Sequence, residues 1–314
     1  MRFVIDETSW HFDGLAHDVC VEALETMLDQ LEVAQAQGHS ACYSDELFNT
    51  TVWQNKSFYD LYAHDSPIPI PREVQERIGS IFSGLSKWQD MELAWPISFD
   101  VQVGGAPKEE APSVAWAHEQ TIQNPANAIA CIVYPGGRQV GSFDVTVDTK
   151  MTTLWFVDDS QNYCDFFRWL ILKTTNKPVE MEKIAPSAFP SVDFVEGIFN
   201  GIKNMSKPYR EIVEPLVHHL GALSDHGKRI FLGPWDEVAA KFGALGVNVS
   251  DENGKTKGDS DARKERTIVI NGTNIVFWWH SKLERHQDRI HLNPDKIANG
   301  GRLLVGIFCR HMKT

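Results

Sequence analysis

Residues 1–48 read MRFVIDETSWHFDGLAHDVCVEALETMLDQLEVAQAQGHSACYSDELF. RFVID (2–6) predicts a first strand that ends at an acid, and HSACYSDELF (39–48) predicts a second strand that leads into a helix. Between them, apolar residues recur at helical spacing from about His17 to Gln37, and Gly38 ends that helix. This order of strand, helix and strand is typical of an α/β sheet.

The same alternation continues along the chain. REVQERIGSIFSGLSKW (72–88) and VAWAHEQTI (114–122) predict helices, whereas AIACIVY (128–134) and TTLWFVDD (152–159) predict strands. We therefore expect residues 1–160 to form an α/β domain with a mainly parallel sheet.

The second half of the chain has a different pattern. Residues 161–224 are helical in pattern but broken by prolines, which indicates a helical connector between two domains. SDENGKTKGDSDARKER (250–266) predicts a mobile loop that could act as a lid or contact nucleic acid. Strand-like runs follow it, so we expect residues 225–314 to form a basic α+β domain with antiparallel strands.

The charge of the chain is unevenly distributed. The 314 residues have a formal net charge of -12, yet residues 263–314 hold ten Lys and Arg against four Asp and Glu, a net of +6. Such an acidic chain repels phosphate, which argues against non-specific nucleic-acid binding over the whole surface. The asymmetry indicates two modules with different electrostatic roles, or a basic end that pairs with the acidic body. The acidic body could also dock a basic protein partner.

Several classes of protein are excluded or disfavoured. No apolar run approaches the roughly 20 residues of a membrane-spanning helix, and MRFVIDETSW lacks the features of a secretory signal, so we expect no membrane association. The five scattered cysteines form no CxxC pair and no zinc spacing, which predicts reduced thiols and a cytoplasmic protein. The usual dinucleotide, P-loop, serine-hydrolase and metalloprotease motifs are absent.

Acidic residues follow the first two predicted strands. Asp6 ends the first, and Asp45 and Glu46 end the second. Residues just past the carboxyl ends of strands line the active crevice of an open α/β sheet, where carboxylates can hold Mg²⁺ or Mn²⁺. Such an ion activates a water and neutralises charge on a phosphodiester. We therefore predict that these three residues are metal ligands and catalytic groups; the alternative is that they cap helices or lie in first turns.

These segments resemble a PIN-like nuclease domain. VIDETS (4–9) is similar to the opening strand of that family with its first metal-binding Asp, and YSDELF (43–48) is similar to its second strand with an acid. The resemblance covers about residues 1–160 and implies a PIN-like fold with a metal-dependent nuclease site. Ser113 stands where the family has a further acid, which implies a degenerate site. Possible substitutes for that acid are Asp144, Asp148, Asp158 and Asp159.

Basic residues and histidines alternate in the last strands. In RIHLN (289–293) the Arg and His point to one face, and in VFWWHSKL (276–283) the His and Lys share a face. Antiparallel pairing can bring them onto one surface with Arg310 or His311, where Arg and Lys stabilise phosphate charge and His transfers protons. On this surface we predict that His291 is catalytic and that His280, Lys282, Arg289 and Arg310 bind phosphate. Ligand binding without catalysis, and purely structural roles, are the alternatives.

The same segment resembles the closing strands of RelE-like toxins. RIHLN and VGIFCRH (305–311) are also similar to the tails of uncharacterised bacterial proteins associated with mobile or defence loci. The neighbouring Trp278 and Trp279 either stack a base or belong to the core. The resemblances imply a nuclease, or a nuclease-like toxin or defence effector, that acts on nucleic acid and preferentially on RNA. The alternative is a non-catalytic binding or sensing protein with a degenerate PIN-like scaffold that binds a phosphorylated ligand or a partner protein.

Overall fold

The computed structural model divides the chain into two compact units, Met1–Phe166 and Phe167–Thr314. The structure describes residues 2–62, 66, 69–91, 100–135, 139–284 and 287–312. Most of the predicted connector, residues 167–224, belongs to the second unit.

The first unit alternates short strands with helices. Its strands are β1 (Phe3–Ile5), β2 (Ala41–Tyr43), β3 (Thr51–Trp53), β4 (Lys56–Ser57), β5 (Ser86–Lys87), β6 (Val101–Val103), β7 (Ala106–Pro107), β8 (Ala130–Ile132), β9 (Gly141–Val147) and β10 (Lys150–Val157). Its helices are α1 (His17–Ala36), α2 (Arg72–Ser83) and α3 (Pro112–Gln123), and α4 (Ser160–Thr174) begins at its end. Short 3-10 helices lie at Glu7–Ser9, Leu47–Asn49, Tyr59–Tyr62, Trp88–Asp90 and Pro125–Asn127.

The main sheet of this unit has the order β5-β2-β1-β8-β10-β9-β6-β7. Its first five strands are mutually parallel, and β9, β6 and β7 extend it in antiparallel fashion. The predicted α/β layout with parallel strands is therefore confirmed, although the sheet is mixed. Because parallel strands end at the same edge, the residues that follow β1, β2, β8 and β10 all lie along one side of the sheet.

Both faces of the central strand are covered, which explains why its residues FVI (3–5) are all apolar, without alternation. Phe3 stacks on Tyr163 of α4, with ring centroids 5.3 Å apart. Val4, on the other face, belongs to a buried cluster that includes Val114 and Trp116 of α3. The predicted amphipathic helix is α1, whose apolar stripe of Leu24, Leu28 and Leu31 is buried.

The second unit combines helices with a smaller sheet. Its further helices are α5 (Pro178–Ala188), α6 (Tyr209–Phe231), α7 (Val238–Gly243), α8 (Gly254–Gly258) and α9 (Ser260–Glu265). Its strands are β11 (Val192–Phe194), β12 (Asn248–Ser250), β13 (Thr267–Ile270), β14 (Thr273–Val276), β15 (Trp279–Lys282), β16 (Asp288–Asn293) and β17 (Leu303–Arg310). Short 3-10 helices lie at Ile198–Asn204, Trp235–Glu237 and Ile297–Asn299.

The larger sheet of the second unit has the order β11-β17-β16-β15-β12. Its pairs are antiparallel except for β11 and β17, and β13 pairs with β14 in a separate hairpin. The predicted α+β unit with mostly antiparallel strands is therefore confirmed. Within the described residues of both units, no helix has the length and apolar character needed to cross a membrane.

Residues 250–266 were expected to form a loop, but they fold into α8 and α9. Asn253 caps α8 by accepting a hydrogen bond from the Thr256 backbone N–H, and Asp259 caps α9. Turn-forming residues such as Asn and Asp favour helix N-caps as well as loops, so composition alone misled the prediction. The segment also contributes two buried charges, Glu252 and Arg266.

Candidate functional site

Asp6 and Glu7 follow the central strand β1 and are both buried, with exposed fractions of 0% and 2%. One oxygen of Asp6, Oδ1, accepts hydrogen bonds from the backbone N–H and the hydroxyl of Thr8, at 3.1 and 2.6 Å. The other, Oδ2, forms an ion pair with Lys108 Nζ at 3.2 Å. Asp6 therefore caps the turn that follows it, as the alternative reading expected, and its charge is balanced by a lysine.

Glu7 has a different environment from its neighbour. Its Oε1 accepts a hydrogen bond from the backbone N–H of Ser113 at 3.0 Å, in the first turn of α3. Its Oε2 is buried and has no hydrogen-bond partner. Burial, reinforced by the adjacent Asp6 carboxylate, raises the pKa of Glu7 to about 7. Glu7 can thus take up or release a proton near neutral pH.

The other two predicted ligands are exposed and bonded to neighbouring amides. Asp45 Oδ1 accepts from Gln89 Nε2 at 2.6 Å, and Glu46 Oε2 accepts from Asn49 Nδ2 at 3.3 Å. Both follow β2, so they share the carboxyl edge of the sheet with Asp6. The described residues nevertheless contain no group of three or more Asp, Glu, His or Cys placed to hold a metal ion.

Only two of the four possible substitutes for the missing acid lie at the carboxyl edge of the sheet. Asp158 and Asp159 directly follow β10 at the same edge, but both bond Asn162 in the first turn of α4. Asp144 lies within β9 and accepts from Thr153 at 3.1 Å. Asp148 lies in the turn that precedes β10, away from the carboxyl edge.

The pairing of β15 with β16 places His280 opposite His291 and Lys282 opposite Arg289. These four side chains therefore share one face of the sheet, as strand alternation predicted. The expectation that the set faces solvent is wrong for three of them, because His280, Arg289 and His291 have exposed fractions of 2%, 7% and 0%.

Arg310 does not extend this face. Arg310 pairs with Asp288, whereas Arg289 pairs with Cys309. Because successive side chains of a strand point to opposite faces, Arg310 lies on the face opposite to Arg289, where it is exposed. The adjacent His311 lies past the end of β17, and Lys313 lies outside the described residues.

Glu252 and Arg266, from the segment expected to be a loop, belong to this buried cluster. Glu252 Oε1 accepts from Arg266 Nε at 3.1 Å and from Nη2 at 2.9 Å, and it lies 3.6 Å from His280 Nδ1. Arg266 Nη1 donates to the carbonyl of Ala262 at 3.1 Å. We call Glu252, Arg266, His280, Arg289 and His291 the buried charge cluster.

The histidines of the buried charge cluster are neutral. Arg289 Nη1 lies 2.8 Å from His280 Nε2, and because a guanidinium can only donate, that ring nitrogen must accept. Burial lowers the pKa of His280 to about 2, with the positive charges of its neighbours adding to the effect. Burial likewise lowers the pKa of His291 to about 3. A fully buried neutral His291 is not placed to transfer protons to a ligand in solvent.

An exposed groove elsewhere on the second unit is lined by aromatic and basic side chains. Its cavity of about 440 Å³ includes Trp235, Trp278, Arg263, Lys257 and Lys296, and we call it the tryptophan groove. Trp235 is 55% exposed, and the Arg263 guanidinium lies 5.9 Å from the centroid of the Trp278 ring. A cavity of about 400 Å³ shares Arg263 with it and adds Lys264.

The two adjacent tryptophans have different roles. Trp279 is 7% exposed and packs against Phe231 and Trp235, with ring centroids 5.2 and 5.5 Å away. Trp278 is half-buried on the wall of the groove. Two acids, Asp251 and Asp295, also line the groove, and Asp251 pairs with Lys257 at 2.6 Å.

No family model, curated protein or solved structure matches this chain. The resemblances to PIN-like domains and RelE-like toxins therefore stay predictions.

Proposed function

We propose that this protein binds single-stranded nucleic acid, with RNA as its ligand, in the tryptophan groove. The observation that carries the proposal is the Arg263 guanidinium positioned over the Trp278 ring, 5.9 Å from its centroid, in an exposed cavity. Proteins that bind single strands combine aromatic rings, on which bases stack, with cations that follow the phosphates. Trp235 and Trp278 supply the rings, and Arg263, Lys264 and Lys296 supply the cations.

A binding role also agrees with the state of the acids in the first unit. Asp6 is balanced by Lys108, and the described carboxylates do not converge as a shared metal ion would require. We infer a PIN-like scaffold whose metal site is degenerate. The parallel strand order and the acids along its carboxyl edge support that relationship.

Replacing Trp278 with Ala is expected to weaken binding of a short single-stranded oligoadenylate by about tenfold, since stacking one base contributes about 1–3 kcal/mol. Arg263→Gln is expected to weaken binding and to reduce the dependence of affinity on salt by roughly one phosphate contact. Fluorescence anisotropy at several salt concentrations measures both effects.

Arg302→Gln is the matched control, because Arg302 is an exposed arginine of the same unit outside the groove. If Arg263→Gln and Arg302→Gln lose affinity for the oligonucleotide equally, binding depends only on the net charge of the protein and not on the groove. An equally tight complex with the deoxyadenylate strand would remove the preference for RNA.

A second candidate function is hydrolysis of nucleic acid at Asp6 and Glu7. It is favoured by the pKa of Glu7, raised to about 7, and by its buried oxygen without a hydrogen-bond partner. Perturbed carboxyl groups of this kind are frequent at active sites. Because Asp6 and Glu7 are 0% and 2% exposed, a substrate would reach them only after this edge of the sheet opens locally. Glu7 would then accept a proton from the attacking water, and Lys108 would stabilise phosphate charge.

If this second function is present, Glu7→Gln and Asp6→Asn are each expected to reduce RNA cleavage at least roughly 100-fold, as loss of a general base does. Cleavage by the wild type should rise with pH through about 7, as the Glu7 carboxyl loses its proton. Glu73→Gln, on the exposed start of α2, is the control. Absence of wild-type cleavage with Mg²⁺ and with Mn²⁺ would leave binding as the function.

A further inference from the structure

The first unit contains a cavity at the amino ends of its parallel strands, away from the carboxyl edge and its acids. Its volume is about 390 Å³, within the range of sites for small molecules. Arg2, which precedes β1, His39, which precedes β2, and Ile129, which precedes β8, line it from the sheet. Trp116 and Gln120 line it from α3.

Two of the described residues that line the cavity have hydrogen-bond donors without acceptors. Trp116 is 2% exposed, and its indole Nε1 is buried without a hydrogen-bond partner. The side-chain Nε2 of Gln120 is also buried without a partner. Leaving a buried donor unpaired costs about 1–3 kcal/mol, so two such donors beside one cavity require an explanation.

The cavity also has a positive charge without a facing carboxylate. Arg2 Nη1 donates to the backbone carbonyls of Ala126 and Ala128, at 3.0 and 3.4 Å. Partial burial lowers the pKa of Arg2, as expected for a cation that has lost part of its hydration. Among the described residues that line the cavity there is neither Asp nor Glu.

We propose that this cavity binds a small oxyanion, carried on a ligand with a phosphate or carboxylate group. An anionic oxygen would accept hydrogen bonds from Trp116 and Gln120 and would balance the charge of Arg2. In the part of the chain that the structure describes, the protein itself supplies neither acceptors for these two donors nor a carboxylate facing this cation. Met91 and Ile129 add apolar surface for the remainder of the ligand. The site is independent of the tryptophan groove, which lies in the other unit.

The indole N–H resonance of Trp116 provides the test. In protein labelled with ¹⁵N-tryptophan, that resonance is identified by its loss in Trp116→Phe. Titration with inorganic phosphate tests a phosphate ligand, and titration with malonate tests a carboxylate ligand. We expect a saturable downfield shift of the Trp116 resonance with one of the two anions, because the N–H gains an acceptor.

Arg2→Gln is expected to weaken that binding about tenfold or more, because the bond to the anion is charge-assisted. Gln120→Leu gives a second variant if Arg2→Gln does not fold. Arg72→Gln is the matched control, since Arg72 is exposed on α2 and lies outside the cavity. The proposal is overturned if neither anion moves the resonance, or if Arg2→Gln and Arg72→Gln bind as tightly as the wild type.

Discussion

Glu252→Gln is expected to lower the free energy of unfolding of the second unit by about 3–5 kcal/mol. The substitution preserves the shape of the side chain but removes the charge that balances Arg266, which has an exposed fraction of 0%. A buried guanidinium without a counter-ion loses its hydration without compensation. Urea-dependent hydrogen exchange of the amides of β16 measures the loss for this unit by itself.

Two further variants make this prediction specific. Arg302→Gln breaks an exposed ion pair with Asp193, 3.5 Å long, and is expected to cost less than about 1 kcal/mol. Arg266→Met should cost less than Glu252→Gln, because Arg289 remains near Glu252 as a positive charge. If Glu252→Gln and Arg302→Gln lower the free energy of unfolding by similar amounts, the pair of Glu252 and Arg266 is not buried as the structure shows it.

The architecture of the first unit was accessible from sequence because its signals are local. The period of α1, the apolar run of β1 and the acid at the end of that strand each arise within a few residues. The partners of Asp6 and Glu7, in contrast, lie far away in the sequence. Lys108 reaches Asp6 from the loop after β7, and Ser113 reaches Glu7 from α3 more than a hundred residues away. No pattern in the sequence reports such distant pairing.

Strand alternation in the second unit predicted which side chains share a face but not which face is buried. The period of two that groups His280 with Lys282 is the same for a surface strand and for a covered one. The cover comes from Glu252 and Arg266, in a polar segment whose composition suggested a loop. The tryptophan groove could not be predicted from sequence either, since Trp235 and Trp278 are 43 residues apart and line one cavity only in the folded unit.

Acidification is expected to destabilise the second unit well above the pH at which ordinary carboxylates titrate. Folding lowers the pKa of His280 to about 2 and that of His291 to about 3, from an ordinary value of 6.5. Below that value the unfolded chain binds protons that the folded chain does not, so stability falls as the pH falls. Well below pH 6.5 each histidine contributes roughly 1.4 kcal/mol per pH unit, and the two together contribute roughly 3 kcal/mol between pH 6.5 and 5, because the unfolded histidines are only half protonated at the upper limit.

The dependence arises from two buried histidines that can be replaced by a side chain that does not titrate. Burial keeps His280 neutral, and the guanidinium of Arg289, 2.8 Å from its Nε2, adds to the effect. His291 is also buried, and its Nδ1 lies 3.2 Å from the carbonyl oxygen of Phe277. A variant with His280→Gln and His291→Gln should be less stable at neutral pH but should lose less stability on acidification. Some slope should remain, because burial also lowers the pKa of His219 to about 4.

Hydrogen exchange of the β16 amides at several pH values between about 7.5 and 5 resolves this change in slope. His226→Gln is the control, since His226 lies on the same helix α6 but is only half-buried and outside the buried charge cluster, and it should change the slope far less than the double variant. A wild-type stability that is flat across this range would mean that solvent reaches the two histidines. In that case the buried charge cluster would be open to a phosphate ligand, and His291 could transfer protons to that ligand, as its position in RIHLN predicted.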